Sequence, residues 1–314
     1  MNDDMFDPKE FIRKSIQETR MRVREEKAIA ACSGGVDSVT ATLLARMAVG
    51  DNLLAVFIDD GLRREGEPEF VAELLKRIGG RYRCVDARNS FYEGLRNKKD
   101  AEEKRKAFRE IFYRKLGQIA REDGAIYLVQ GTIAADIAET VSGVKTQHNV
   151  LEQIGIDPKE YGFELVEPLR DLYKPEVRAV ARELALPEEV SGRMPFPGPG
   201  LSVRVLGEVT PQKIEVLRKA TRIVEEETKS LRSFQSFAAL MSDRATAIKN
   251  GERVYGEMIT VRVVESEDAI TASVVEVPYR ILFKISQRIT GEIPTVARCL
   301  FDITHKPPGT IEFE

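Results

Sequence analysis

The stretch Ile29-Ala30-Ala31-Cys32-Ser33-Gly34-Gly35-Val36-Asp37-Ser38 narrows the possible folds of this chain more than any other. Small and apolar residues run into Ser-Gly-Gly, and Val39, Leu43, Leu44 and Met47 follow at helical spacing. That pattern reads as strand, tight turn and helix. Paired glycines reach backbone angles closed to other residues and let a ligand approach the main chain. The helix behind them starts with unpaired N–H groups and the positive end of its dipole, a combination that suits a phosphate. Ser33 and Ser38 add hydroxyls, and Asp37 is placed to hold Mg2+ against such phosphates. The Gly-Lys-Ser/Thr ending of a Walker A loop is missing. A bare Ser-Gly-Gly would read as a plain connecting turn; the longer Ser-Gly-Gly-Val-Asp-Ser after an apolar strand favours the phosphate.

The following segments keep alternating. A helix is expected over 8–25, with Phe11, Ile12 and Ile16 inward. Asn52–Ile58 is a continuous apolar run suited to a buried parallel strand. Phe70, Leu74, Leu75 and Ile78 mark a helix stopped by Gly79-Gly80. Tyr82–Asp86, Ala125–Gln130 and Glu164–Glu167 read as strands, with a long charged helix from Asp100 to Glu122. The expected class is α/β: a parallel twisted sheet covered by helices on both faces. Ligands of such sheets lie beyond the carboxyl ends of the strands, where Ser33–Ser38, Asp59–Arg63 and Gly131–Asp136 fall. The loop at Asp59 offers backbone groups to an adenine ring. Asp136 either faces the metal or is an ordinary acid at a helix start. Residues 139–163 are polar and weakly periodic, as in a mobile lid; Lys145 and His148 are either solvated or reach triphosphate charge. Lys174, beside Pro175 at the start of a helix, is expected to point at phosphate.

Arg193-Met-Pro-Phe-Pro-Gly-Pro-Gly-Leu201 cannot continue a helix or a central strand. It is expected to be a stiff interdomain linker; a rigid loop of this kind can also present Arg193 and Arg204 to an anion. The boundary is set there, with domains at 1–194 and 195–314. In the second, Thr210-Pro211 caps a helix to about Lys229. Ser236–Met241, Met258–Val264, Ala269–Val275 and Thr295–Ile303 are strand-like, and Pro278–Ile289 is helical: a small α+β unit. The chain ends in Lys306-Pro307-Pro308-Gly309-Thr310-Ile311-Glu312-Phe313-Glu314. This is either a last β-strand without chemistry or a loop with Lys306 on a phosphate and Glu312 on a purine edge.

Composition excludes several classes. No apolar run in the 314 residues approaches a membrane span, which needs roughly 20 residues. A formal charge of −3 exerts no global pull on nucleic acid. Cys32, Cys84 and Cys299 are far apart and form no Cys-x-x-Cys. With no signal-peptide pattern in Met1–Arg24, a reducing cytoplasm is expected.

SGGVDS at 33–38 resembles the PP-loop of the N-type ATP pyrophosphatases. The remaining motifs narrow the resemblance to the GMP synthetase family, from about residue 8 to the end. They are FIDDGLRR at 57–64, EKRKAF at 103–108, QGTIAAD at 130–136, KTQHN at 145–149, EPLRDLYKPEVR at 167–178, PFPGPGLSVRVLGEV at 195–209 and KPPGTIEFE at 306–314. The resemblance implies that MgATP adenylylates XMP at its C2 oxygen with release of pyrophosphate, and that ammonia then displaces AMP. It implies ATP on Ser33, Gly34, Gly35, Val36, Asp37, Ser38, Asp59, Gly131 and Asp136, with Mg2+ on Asp37 and Asp136. Asp37, Lys145 and Lys174 are the expected catalytic set. XMP is expected on Arg105, Arg193, Lys306, Thr310, Ile311 and Glu312. The second domain resembles the family's dimerisation domain, so a homodimer is expected.

The sequence departs from the family at Gln147-His148, where His-His is usual, at Ala135 for a common proline, and at Phe313 for a frequent tryptophan. Many members begin with a glutaminase domain; here 32 residues precede the loop. Ammonia is therefore expected from solution or from a separate, transiently bound glutamine amidotransferase subunit. A tRNA-thiolating PP-loop enzyme would want a cysteine pair and a basic face, and neither is evident. An ammonia-dependent NAD synthetase would not account for the proline-glycine stretch or the tail. A non-enzymatic nucleotide-binding subunit is opposed by the intact Ser33, Asp37 and Ser38.

Overall fold

The computed structural model describes residues 6–134, 161–266 and 269–314. Within them the chain groups into two compact units. The first contains Met1–Asp59, Glu67–Asp86 and Glu110–Arg193; the second contains Asp60–Gly66, Ala87–Arg109 and Met194–Glu314.

The first unit opens with α1 (Pro8–Val23), capped by the Asp7 carboxylate accepting from the Lys9 amide. β1 (Lys27–Ala31), α2 (Val36–Val49), β2 (Leu53–Asp59), α3 (Glu67–Ile78) and β3 (Arg81–Asp86) follow. The later part of the helix α5 (Ala101–Asp123), then β4 (Ala125–Val129), β5 (Glu164–Val166), α6 (Lys174–Glu183) and the short α7 (Glu188–Ser191) complete it. Among the described residues the strands order as β3-β2-β1-β4-β5, each pair parallel. This is the expected α/β sheet. β1 lies at its centre because Ala28, Ile29 and Ala30 are small or apolar enough to be buried on both faces. One continuous core joins Ala30, Phe57, Leu44, Leu75, Val129 and Val180. The central position of β1 makes the turn after it the point from which α2 leaves the sheet.

The second unit carries α4 (Arg88–Leu95), α8 (Pro211–Thr228), β6 (Gln235–Lys249), β7 (Glu252–Glu265), β8 (Ser273–Val274), α9 (Tyr279–Glu292) and β9 (Val296–Phe301). β6 and β8 pair antiparallel with β7, and β9 pairs with it in parallel. α8 places Ile214, Leu217, Ile223 and Val224 in a core with Phe237, Leu240, Ile259 and Val261. The Thr210 hydroxyl accepts from the Lys213 amide at 3.2 Å and caps that helix.

The end of the proline-glycine stretch is buried: Pro197, Pro199, Gly200 and Leu201 are covered, as are Ser202, Val203 and Arg204 after it, while Pro195 and Gly198 are exposed, and the Leu201 amide donates to the Leu62 carbonyl at 2.8 Å. Gly200, at φ +62°, has no room for a side chain against that same carbonyl. The prolines fix the path by which the chain enters that buried segment. Two expectations change. The strand expected over 269–275 shrinks to Ser273–Val274. The tail forms no strand either: its sheet-like pairing among the described residues is one bridge between Ala272 and Lys306.

Candidate active site

β1 ends at Ala31, and the Cys32 amide still donates to the Val56 carbonyl at 2.9 Å, so the chain leaves the sheet only at Ser33. Ser38 Oγ then organises the turn. It accepts from the Ser33 amide at 3.1 Å, donates to the Gly35 carbonyl at 3.0 Å and lies 3.1 Å from Ser33 Oγ. Gly34 has φ +83°, and a Cβ there would stand 2.5 Å from Val71 Cγ2. Glycine is thus required twice over, by backbone angle and by space. Gly35 is the N-cap of α2 and offers no side-chain cap. The first-turn amides have no partner within the helix and face the dipole's positive end. Gly131 closes the other side: a Cβ on it would lie 2.6 Å from the Asp37 carbonyl carbon and 2.7 Å from the Ser38 amide. Cys32, buried beneath the turn, has its thiol pKa pushed up by desolvation, so it is a packing residue and not a nucleophile.

Asp37 occupies the first turn of α2. Its Oδ2 accepts from Lys174 Nζ at 2.5 Å, while Oδ1 is buried with no hydrogen-bond partner among the described residues. Lys174 comes from the first residue of α6, where the Tyr173 amide donates to Glu176 at 2.7 Å and fixes the helix start. A carboxylate oxygen left bare at the head of a helix, with a lysine 2.5 Å from the other oxygen, fits a Mg2+ ion. That ion is commonly held by one or two carboxylates plus substrate phosphates and water. Among the described residues no cluster of three or more His, Cys, Asp or Glu could form an all-protein cage. Asp136 and Lys145 lie outside the described residues, as do Gln147 and His148.

The residues expected around a purine monophosphate divide between the units. Arg105, Lys306, Thr310, Ile311 and Glu312 belong to the second, and Arg193 to the first. Arg105 is paired with Glu102 at 3.5 Å. Lys306 Nζ donates to the Ala269 carbonyl at 2.7 Å. Glu312 accepts two bonds of 2.8 Å from Arg204, whose guanidinium is buried and rests on the Phe237 ring at 4.0 Å. Arg204 is therefore not presented to a solvent anion as expected; the tail supplies its counter-charge. Buried Arg262 donates to the Ile311 and Thr310 carbonyls at 2.9 and 2.7 Å. Buried Lys104 pairs with Glu314 and donates to the Val205 carbonyl at 2.6 Å. Sequence reasoning missed Arg262 because an isolated charge on a strand carries no motif, and passed over Lys104 although it lies within EKRKAF at 103–108.

A family model described as NAD synthase matches residues 6–198, and one described as GMP synthase C terminal domain matches residues 206–313. The B subunit of the glutamine-hydrolyzing GMP synthase of Methanopyrus kandleri is 52% identical over 99% of this chain and 100% of that protein. The protein of the same name from Archaeoglobus fulgidus is 50% identical over 98% and 100%, and that of Pyrococcus furiosus 49% identical over 97% of each. A glycine-built turn at the centre of a parallel sheet, an acid at the head of its helix and this likeness along nearly the whole chain agree: the chain belongs to the GMP synthase family of ligases.

Proposed function

We propose that this chain makes GMP from XMP in two steps. The C2 oxygen of XMP attacks the α-phosphorus of ATP. The bond from that phosphorus to the bridging oxygen breaks, and pyrophosphate leaves with the oxygen. Ammonia then adds at C2, loses its surplus protons and expels AMP together with the former C2 oxygen, leaving the amino group of GMP. Adenylylation matters because an amide-like carbonyl oxygen is a poor leaving group and a phosphate ester is a good one.

In this reading the first-turn amides of α2 with Ser33 and Ser38 bind the departing pyrophosphate. Such donors need no rearrangement as charge moves onto it. Asp59 and Gly131 line the adenosine side. Lys174 passes from Asp37 to the phosphates, and Lys145 joins it. Asp37 Oδ1, with Asp136, holds Mg2+, which when bound offsets polyphosphate charge. Arg105, Lys306, Thr310, Ile311 and Glu312 hold XMP. The observation that carries the reading is the bare Oδ1 of Asp37 at the uncapped head of α2. Glu312 retains acceptor capacity beyond its two bonds to Arg204, since a carboxylate has about four lone-pair sites.

Ammonia comes from a separate glutaminase subunit. The relatives support this, since each is named as one subunit of a glutamine-hydrolyzing synthase. The second unit's exposed Tyr255, Tyr279, Phe283 and Ile303 support a homodimer through that domain. Among the described residues no helix is long and apolar enough to cross a membrane, in keeping with a cytoplasmic enzyme. The test is incubation with XMP, MgATP and ammonium, following loss of XMP absorbance and release of pyrophosphate. GMP, AMP and pyrophosphate should appear in equal amounts and stop on adding EDTA. Glutamine should replace ammonium only when a glutaminase subunit is present. Absence of XMP-dependent pyrophosphate release from a folded sample would overturn the assignment.

A further inference from the structure

Arg193 was expected near XMP, yet its surroundings are those of the loop at Ser33–Ser38. Its Nη2 donates to Glu67 Oε1 at 2.9 Å, and its guanidinium lies 4.7 Å from the centre of the Phe70 ring. Glu67, in the first turn of α3, is itself buried. The remaining edge is different. Nη1 is buried with no hydrogen-bond partner among the described residues, and it stands 3.4 Å from where a Cβ on Gly34 would be. A guanidinium stays charged at any working pH, and a buried donor left without an acceptor carries a desolvation penalty. Glu67 and Phe70 account for one edge of the fork and for the flat face, and leave the edge beside Gly34 for an acceptor from outside the chain. An oxygen-rich anion seated on the glycine turn supplies it.

We propose that Arg193 is a further ligand to the polyphosphate of ATP, with Glu67 as the residue that positions it. The inference rests on the ATP reading above and moves Arg193 from the XMP set to the phosphate set. Its second N–H pair takes a phosphate oxygen held over Gly34, while the Glu67 carboxylate keeps the fork from swinging to solvent. Arginine suits this task better than lysine because one planar group serves the anchor and the ligand at once.

The test uses the full-length protein and calorimetric titration with MgATP, pyrophosphate and adenosine, alongside steady-state KM values for ATP and XMP. Arg193→Gln should weaken MgATP and pyrophosphate about 10- to 100-fold, the range of a charge-assisted hydrogen bond, and leave adenosine binding and the KM for XMP unchanged. Arg193→Lys should fall between wild type and Arg193→Gln. Glu67→Gln should raise the KM for ATP with little change in kcat, and Glu67→Asp should restore part of it. Equal MgATP affinity in wild type and Arg193→Gln would overturn the proposal, as would a rise confined to the KM for XMP. So would a parallel loss of adenosine binding, which would show a merely structural role. A wild-type protein that binds no MgATP would bring down the ATP reading itself, a result seen before any variant is made.

Discussion

At the head of α2, Asp37 keeps one carboxylate oxygen buried without a partner among the described residues, and the N-cap Gly35 supplies no side chain. In the last residues of the chain the opposite holds: Glu312 gives both oxygens to Arg204, Glu314 pairs with Lys104, and the carbonyls of Thr310 and Ile311 accept from Arg262. Both regions carry charge suited to nucleotides. The first leaves its polar groups incomplete among the described residues on a strand-turn-helix frame, as the proposed phosphate site requires. The second pairs its carboxylates internally, although Arg204 Nη1 stays buried without a hydrogen-bond partner among the described residues, so the same residues that were expected to bind also hold the second unit's fold together. Substitutions should therefore separate activity from stability in the first region and couple them in the second.

The sharpest break is Asp37→Asn. GMP formation should fall about 100-fold or more, comparable to losing one electrostatic stabiliser of charge in transit, with little change in the urea midpoint. A large loss of stability would erase the contrast. Next is Glu312→Ala, which strands the buried Arg204 guanidinium. Removing one partner of a buried ion pair costs about 3–5 kcal/mol, so thermal unfolding should shift down steeply and activity should fall with it. An unchanged melting temperature would show that the tail is not structural.

Gly131→Ala sharpens the comparison from the other side. Its Cβ would press on the Asp37 backbone at 2.6 Å, and overpacking of this kind costs about 1–3 kcal/mol. Here alone in the first region, stability and activity should drop together. The smallest effect concerns Lys104, whose pKa burial pushes below the ordinary lysine value even though Glu314 pulls it back up. The unfolded chain holds that proton to higher pH than the folded one. This group's contribution to stability thus rises as pH climbs through its lowered pKa toward about 10.4, the ordinary lysine value. Lys104→Met should remove that slope from urea midpoints measured across the alkaline range.

The α/β class was legible because apolar runs and helical stripes alternate through residue 134, apart from the successive helices α4 and α5, and each signal is local. The loop was legible for the same reason: Ser33-Gly34-Gly35 and Asp37 are neighbours in sequence, and the hydrogen bonds that Ser38 makes within the turn span five residues or fewer. The burial at the end of the proline-glycine stretch was not legible, because proline and glycine report what a backbone cannot do and are silent on burial. The Arg193–Glu67 pair was not legible either, since a charge beside prolines says nothing about Glu67, 126 positions away.

The amino-acid sequence by itself determined the parallel sheet, the place of the phosphate turn on it and the identity of the acid at the helix head. All of these follow from spacing along a few residues. Tertiary structure alone decided the pairings Lys174–Asp37, Arg193–Glu67, Arg204–Glu312 and Lys104–Glu314, which link positions 137, 126, 108 and 210 residues apart. A charge is visible in a sequence, but its partner is chosen by packing, because burial makes each long-range ion find the one counter-charge that the fold brings within reach.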